Sequence, residues 1–230
     1  NAASGQYSSV SGGRGSTAAA ESSSVSGGVY NLAGGFYSSV CGGQENTAGG
    51  EKSSVSGGWE NAASGQYSSV SGGQGSTAAA ECSSVSGGLY NLAGGSHSSV
   101  CGGRSNTSSG HRSSVSGGRY NTAGGEYSCV VGGGGPDSAD GNKAFGNYSA
   151  ILGGQQNLAG DANLASHTIG QWSTISGGKI NTASGDCSSV SGGGINTASA
   201  EGSSVGGGSR NTASGQYSSI TAGQWNAAQG

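Results

Sequence analysis

One pattern constrains this chain more than any other: the unit N-T-A-S-G-x-Y-S-S-V-S-G-G-x-x returns every 15 residues. Units begin at Asn1, Ser16, Asn31, Asn46, Asn61, Ser76, Asn91, Asn106 and Asn121, then again at Asn181, Asn196 and Asn211, with a partial unit from Asn226. Between these runs, residues 136–156 read as a lengthened turn of 21 and residues 157–180 as one of 24. Residues 1–60 also closely match residues 61–120, as a duplicated four-turn block would. A short fixed period with one signature per unit is how a solenoid reads in sequence. A single unit cannot bury its apolar side alone and must stack on its neighbours.

Each unit splits into two similar halves, G-x-x-N-T-A-S-G and G-x-x-S-S-V-S-G. Both read as short strands of period two, bounded by Gly where the chain bends. With positions numbered 1 to 15, position 8 is Ser, position 10 is Val or Ile and position 13 is Gly in all fourteen turns. Alternation sends positions 1, 3, 8 and 10 inward. Ala at 3 and Val at 10 then form a thin core. Asn at 1 and Ser at 8 are expected to hydrogen-bond turn amides between rungs, since buried polar groups need partners. A buried Val contributes about 1.5–3 kcal/mol, whereas each ordered residue costs about 1–2 kcal/mol of backbone entropy. Backbone ladders between rungs must therefore carry much of the stability. The fold expected is all-β: a single-chain β-solenoid, or β-roll, of about 14 turns with two short parallel strands per turn, forming one domain over residues 1–230.

Two strips face outward. Positions 9 and 11 hold Ser9, Ser11, Ser24, Ser26, Ser39, Cys41, Ser54, Ser56, Ser69, Ser71, Ser84, Ser86, Ser99, Cys101, Ser114 and Ser116, then Thr174, Ser176, Ser189, Ser191, Ser204, Ser219 and Thr221. Nothing on this strip is charged, aromatic or larger than Leu152. Positions 2 and 4 hold Thr17, Thr47, Thr77, Thr107, Thr122, Thr182, Thr197 and Thr212, mixed with Ala, Leu, Ser and Gly, and are almost free of charge. Charges and rings collect instead at corner positions 6, 7, 14 and 15, as with Glu21, Glu51, Lys52, Arg112, Arg119, Tyr7, Tyr37, Tyr67, Tyr127 and Trp172.

That segregation directs the functional reading. Outward side chains repeat about 4.8 Å apart between rungs and roughly 6.7 Å along a strand, a rigid grid of hydroxyls and small apolar groups. Such a grid can order water and match an ice plane, which bare charges would disturb by holding their own hydration. The expected partner is ice or ordered water, the expected function ice binding. The segments 136–145 and 161–169 both fall in the half carrying positions 1 to 5, while the 9/11 strip runs past them through Ala150, Leu152, Thr174 and Ser176. This favours the Ser strip as the working face. The Thr strip is its rival, because Thr sets a methyl beside its hydroxyl.

The half-turn pattern resembles that of grass antifreeze β-rolls, x-x-N-x-V-x-G followed by x-x-N-x-V-x-x-G. V-Y-N-L-A-G-G at 29–35 matches the shorter half and F-Y-S-S-V-C-G-G at 36–43 the longer one. The resemblance covers about twelve turns and implies a left-handed roll with an Asn ladder and flat hydrated flanks. Ser replaces Asn in the second half and Ala replaces Val in the first. In the grass family the shorter half is thought to face ice, which would favour positions 2 and 4. Gly- and Ser-rich antifreeze proteins of polar algae and some bacteria look similar as well.

The units are also similar to head repeats of trimeric autotransporter adhesins, motif G-x-x-S-x-A-x-G, which supplies the alternative function of a surface adhesin. In those heads the strand reads S-V-A-I-G and sends Val and Ile outward to pack three chains. Here S-S-V-S-G turns Val inward, so a trimer would bury columns of hydroxyls with little apolar gain. A monomer is expected.

Other classes find little support. Eight scattered Lys and Arg against a net charge of −3 give nucleic acid nothing to hold. No stretch has the length of a transmembrane helix. A chain beginning at Asn1 reads as mature or trimmed, and secretion is expected. No cofactor and no enzymatic activity are expected: His97 and His111 sit at corners and His167 in an inserted segment, with no cleft to gather them. Asp137, Asp140 and Asn142 could offer oxygens to calcium but lack EF-hand spacing; a solvated turn is the plainer reading. Corner tyrosines are expected to stack along an edge rather than bind sugar. Cys41 and Cys101 share position 11 four rungs apart, about 19 Å at strand spacing, too far for a disulfide. With Cys82, Cys129 and Cys187 they are expected to be five free thiols.

Overall fold

The structure is a computed structural model that describes residues 1–161 and 167–229. It is all-β apart from one 3-10 turn, Ser138–Asp140: a parallel β-solenoid of about 15 turns, each contributing two strands of two residues. The chain divides into two compact units, Asn1–Ser105 and Asn106–Gly230. In the first, strands at positions 2–3 run from Ala2–Ala3 to Leu92–Ala93, and strands at positions 9–10 from Ser9–Val10 to Ser99–Val100. In the second they run from Thr107–Ser108 to Ala227–Ala228 and from Ser114–Val115 to Ser219–Ile220. Like positions pair: Thr77 with Ala62 and Leu92, Ser69 with Ser54 and Ser84. We refer to the two sets as the Thr sheet and the Ser sheet.

Strands this short hold because the ladder continues around the corners. Ser69 N–H donates to the Ser83 carbonyl (3.0 Å) and Ser71 N–H to that of Val85 (2.9 Å). Bridges at position 14, such as Trp59 with Gln74, add a third ladder that the two-strand expectation missed. Its bonds use the Gly at position 13, as when Trp59 N–H meets the Gly73 carbonyl (3.0 Å). Gly73 has φ +97, and a Cβ there would lie 2.2 Å from the Gly88 carbonyl oxygen of the next turn. Any other residue at position 13 would thus meet both a disfavoured backbone and a neighbouring carbonyl. Tyr37 and Glu45, at corner positions 7 and 15, are also left-handed, with φ of 59 and 57. Each returns an N–H to the preceding turn, to Glu21 (3.0 Å) and Val29 (2.8 Å).

The inward positions behave as alternation requires. Ala18 at position 3 is 0% exposed and Val25 at position 10 likewise. The two inward polar columns differ, however. Asn61 Nδ2 donates to the carbonyls of Gly57 (3.0 Å) and Gly73 (2.9 Å), while its Oδ1 accepts the Ser76 N–H (3.0 Å). Repeated turn by turn, this is an amide ladder that is unbroken in the second unit; in the first, Ser16 and Ser76 stand in the column and their hydroxyls accept the next N–H, from Asn31 and Asn91 (both 3.3 Å). Ser at position 8 does not bridge rungs. Where position 5 is Ala, its hydroxyl turns back to that residue's carbonyl, as from Ser83 to Ala80 (2.7 Å). Where position 5 is Gly, some hydroxyls bond within the same turn, as from Ser113 to Gly110 (2.7 Å), but in others, Ser53, Ser68 and Ser98 among them, the buried Oγ has no partner among the described residues.

The Asn ladder also corrects the first insertion. Asn142, not Pro136, takes position 1, donating its N–H to Asn121 Oδ1 (3.0 Å) across 21 residues. The extra residues are therefore 136–141, at the corner leading into the Thr sheet, and Lys143–Ala144 is a regular strand paired with Thr122–Ala123. The second insertion enters after Gly160, as the sequence indicated. Asn181 N–H meets Asn157 Oδ1 (3.0 Å) across 24 residues, so the ladder passes it unbroken. Residues 162–166 of that insertion lie outside the described residues.

Candidate functional site

The Ser sheet turns positions 9 and 11 to solvent in both units, position 9 half-buried between its neighbours in most turns and position 11 exposed. In the first unit the row at position 9 is Ser throughout, and the row at position 11 is Ser except for Cys41 and Cys101. Among the described residues, none of these outward hydroxyls bonds to the protein; the strand's hydrogen-bonding capacity is spent by the backbone alone. Their donors and acceptors are left to water. No charged side chain stands in either row.

In the second unit the same rows continue past both insertions, with registers Cys129 to Ala150, Ala150 to Thr174 and Thr174 to Ser189. Two features vary the surface there. Cys129, Val131, Ala150 and Leu152 make a small apolar patch, with Val131 48% and Leu152 55% exposed. Further along, Gly206 replaces Ser at position 11 and leaves a shallow recess of about 320 Å³ bordered by the hydroxyls of Ser189, Ser191, Ser204, Ser219 and Thr221. Burial raises the Cys129 thiol above the ordinary cysteine pKa, since the thiolate loses hydration there.

The Thr sheet offers outward positions 2 and 4. Thr17, Thr47, Thr77, Thr107, Thr122, Thr182 and Thr197 are half-buried, Thr212 exposed. Leu32 and Leu92 interrupt the first unit's row, each folding over the Gly at position 4 of its own turn. In the second unit the interruption is larger. Lys143 stands at position 2 and Phe145 at position 4, its ring over Gly124. Sequence reasoning missed this charge because it assigned residues 136–145 wholly to an insertion. The signal was present: N-K-A-F-G at 142–146 is the unit's own N-T-A-S-G.

The corners hold the rings. Tyr127 and Tyr148 stack at 5.0 Å with 7° between planes, and Tyr148 and Trp172 at 5.5 Å with 8°. Arg112 caps the stack over Tyr127, 5.3 Å from its centroid. Rings stacked on each other show edges rather than faces to solvent at this corner, while other corner rings, such as Tyr7 and Tyr37, are exposed. Asp137, Asp140 and Asn142 are not gathered for calcium: Asn142 Nδ2 serves the ladder at Gly132 and Gly154 (both 2.9 Å). The Asp140 carboxylate accepts Gln156 Nε2 (2.7 Å) and the Asp137 N–H (3.2 Å). Among the described residues no cluster of three His, Cys, Asp or Glu could hold a metal, and no helix is long and apolar enough to cross a membrane. All five cysteines are free thiols.

No family model matches this chain, and no curated protein matches it.

Proposed function

We propose that the chain binds ice through the outward rows of the Ser sheet and so inhibits ice growth or recrystallisation outside the cell. The observation that carries this reading is the state of those hydroxyls. They stand in register at the turn repeat, free of charge and free of internal hydrogen bonds. A surface of this kind meets water at a fixed spacing of about 4.8 Å between turns. Because the backbone ladder holds the rows in place, little conformational entropy remains to be lost on adsorption, and short Ser side chains lose little of their own. Charged groups would hold hydration shells unlike a lattice; they are kept to the corners. The inward Val column also argues against a trimeric adhesin head, which needs aliphatics on the outside.

The test is a thermal-hysteresis and recrystallisation assay on the whole chain, paired with sedimentation analysis. Faceted crystals and a hysteresis gap from a monomeric species are expected. No activity from the folded chain, with a stable trimer in solution, would replace this reading with the adhesin one.

A further inference from the structure

The period breaks twice, and both breaks lead to one place on the Thr sheet. Residues 136–141 end beside Lys143. From the second insertion, the His167 ring nitrogen Nδ1 lies 2.8 Å from the Phe145 carbonyl oxygen. Between Ala139 and Phe145 lies a recess of about 250 Å³, floored by Lys143, Leu158 and Thr182 at position 2 of successive turns and edged by Gln156. Other turns place Ala, Thr or Leu at that position.

Lys143 is half-buried and has no carboxylate partner among the described residues. Asp140, the nearest acid in sequence, is already committed to Gln156 and to the Asp137 N–H. A cation beside apolar groups and without a counter-charge attracts an arriving anion. Phe145, 8% exposed, and the half-buried Leu158 supply an apolar wall and floor.

We infer that this recess binds a small organic carboxylate, its anionic end at Lys143 Nζ and its apolar body against Phe145 and Leu158. One cation beside apolar groups suits a monocarboxylate. To phosphate a single Lys offers one point charge, without the several N–H donors or the Arg fork that hold it more firmly. The recess is small, about 250 Å³, below the roughly 300 Å³ at which drug-sized pockets begin. A molecule the size of benzoate fits. The site lies on the sheet opposite the proposed ice face, so neither reading depends on the other.

The test is a ¹H–¹⁵N NMR titration of the whole chain with sodium benzoate, with sodium acetate and inorganic phosphate in parallel. Saturable shifts are expected at the Lys143, Leu158 and Thr182 amides with benzoate. Affinity should fall about tenfold or more in Lys143→Gln and return in Lys143→Arg, with the rest of the spectrum unchanged. The inference is overturned by an absence of saturable shifts with benzoate, by equal affinity in Lys143→Gln, or by phosphate binding as tightly as benzoate.

Discussion

The Thr sheet and the Ser sheet share one backbone plan, yet they divide the work of the molecule differently. Inward, the Thr sheet carries the Asn ladder, whose amides are engaged on every side, as at Asn61. The Ser sheet carries at position 8 a column of hydroxyls, many without any partner, such as Ser68. Outward, the order is reversed. The Thr sheet is interrupted by Lys143, Phe145 and the recess between the insertions, whereas the Ser sheet keeps uncharged rows past the same insertions. The lesson is that register is fixed mainly from one side, which leaves the other side's surface free for contact with something external.

The sharpest way to break this contrast is to remove one residue from each inward column. Asn61→Ala strands the Ser76 N–H and the Gly57 carbonyl, and leaves the Gly73 carbonyl with the Trp59 N–H alone. At about 1–3 kcal/mol for each unsatisfied partner, chemical denaturation should show a loss of several kcal/mol. Ser68→Ala removes a hydroxyl that bonds to nothing and should stay within about 0.5 kcal/mol of the parent. Equal losses from the two would refute the division.

Adjacent glycines sharpen the account at the corner that joins the sheets. Gly73→Ala meets the Gly88 carbonyl at 2.2 Å with φ at +97, and should cost about 1–3 kcal/mol by overpacking. A Cβ at Gly72 meets nothing within 4 Å, and Ala222 already stands at that position; Gly72→Ala should shift stability by less than about 0.5 kcal/mol. Thermal melts of the pair decide it. The smallest effect is chemical. Because burial raises the Cys129 thiol, maleimide labelling followed by mass spectrometry should show it reacting more slowly than exposed Cys41, with a rate still climbing above the ordinary thiol range. Equal labelling rates would show the Ser sheet looser than described.

Much of this was legible in the sequence. Period, strand halves, inward Val25 and Ala18, outward Ser24 and Thr17 all follow from spacing and alternation, because a solenoid repeats one local solution. The Asn ladder was legible too, since an inward amide has both donors and an acceptor to place. Ser at position 8 was misread. Its short side chain reaches its own turn's corner but not the next rung, a matter of length that no pattern displays. The position-14 bridges were hidden because Gly-Gly-x-x looks like a plain turn. Lys143 went unseen through the choice of insertion boundary, although Asn142 marks where the unit resumes.

The central claim is that the Ser sheet, not the Thr sheet, meets ice, and a matched pair of outward substitutions tests it. Ser69→Tyr and Thr77→Tyr each place a ring on one sheet of the first unit, and both should melt close to the parent, since outward changes usually stay within about 0.5 kcal/mol. Thermal hysteresis measured at equal concentration should collapse for Ser69→Tyr and persist for Thr77→Tyr. Persistence in Ser69→Tyr with collapse in Thr77→Tyr would contradict the account.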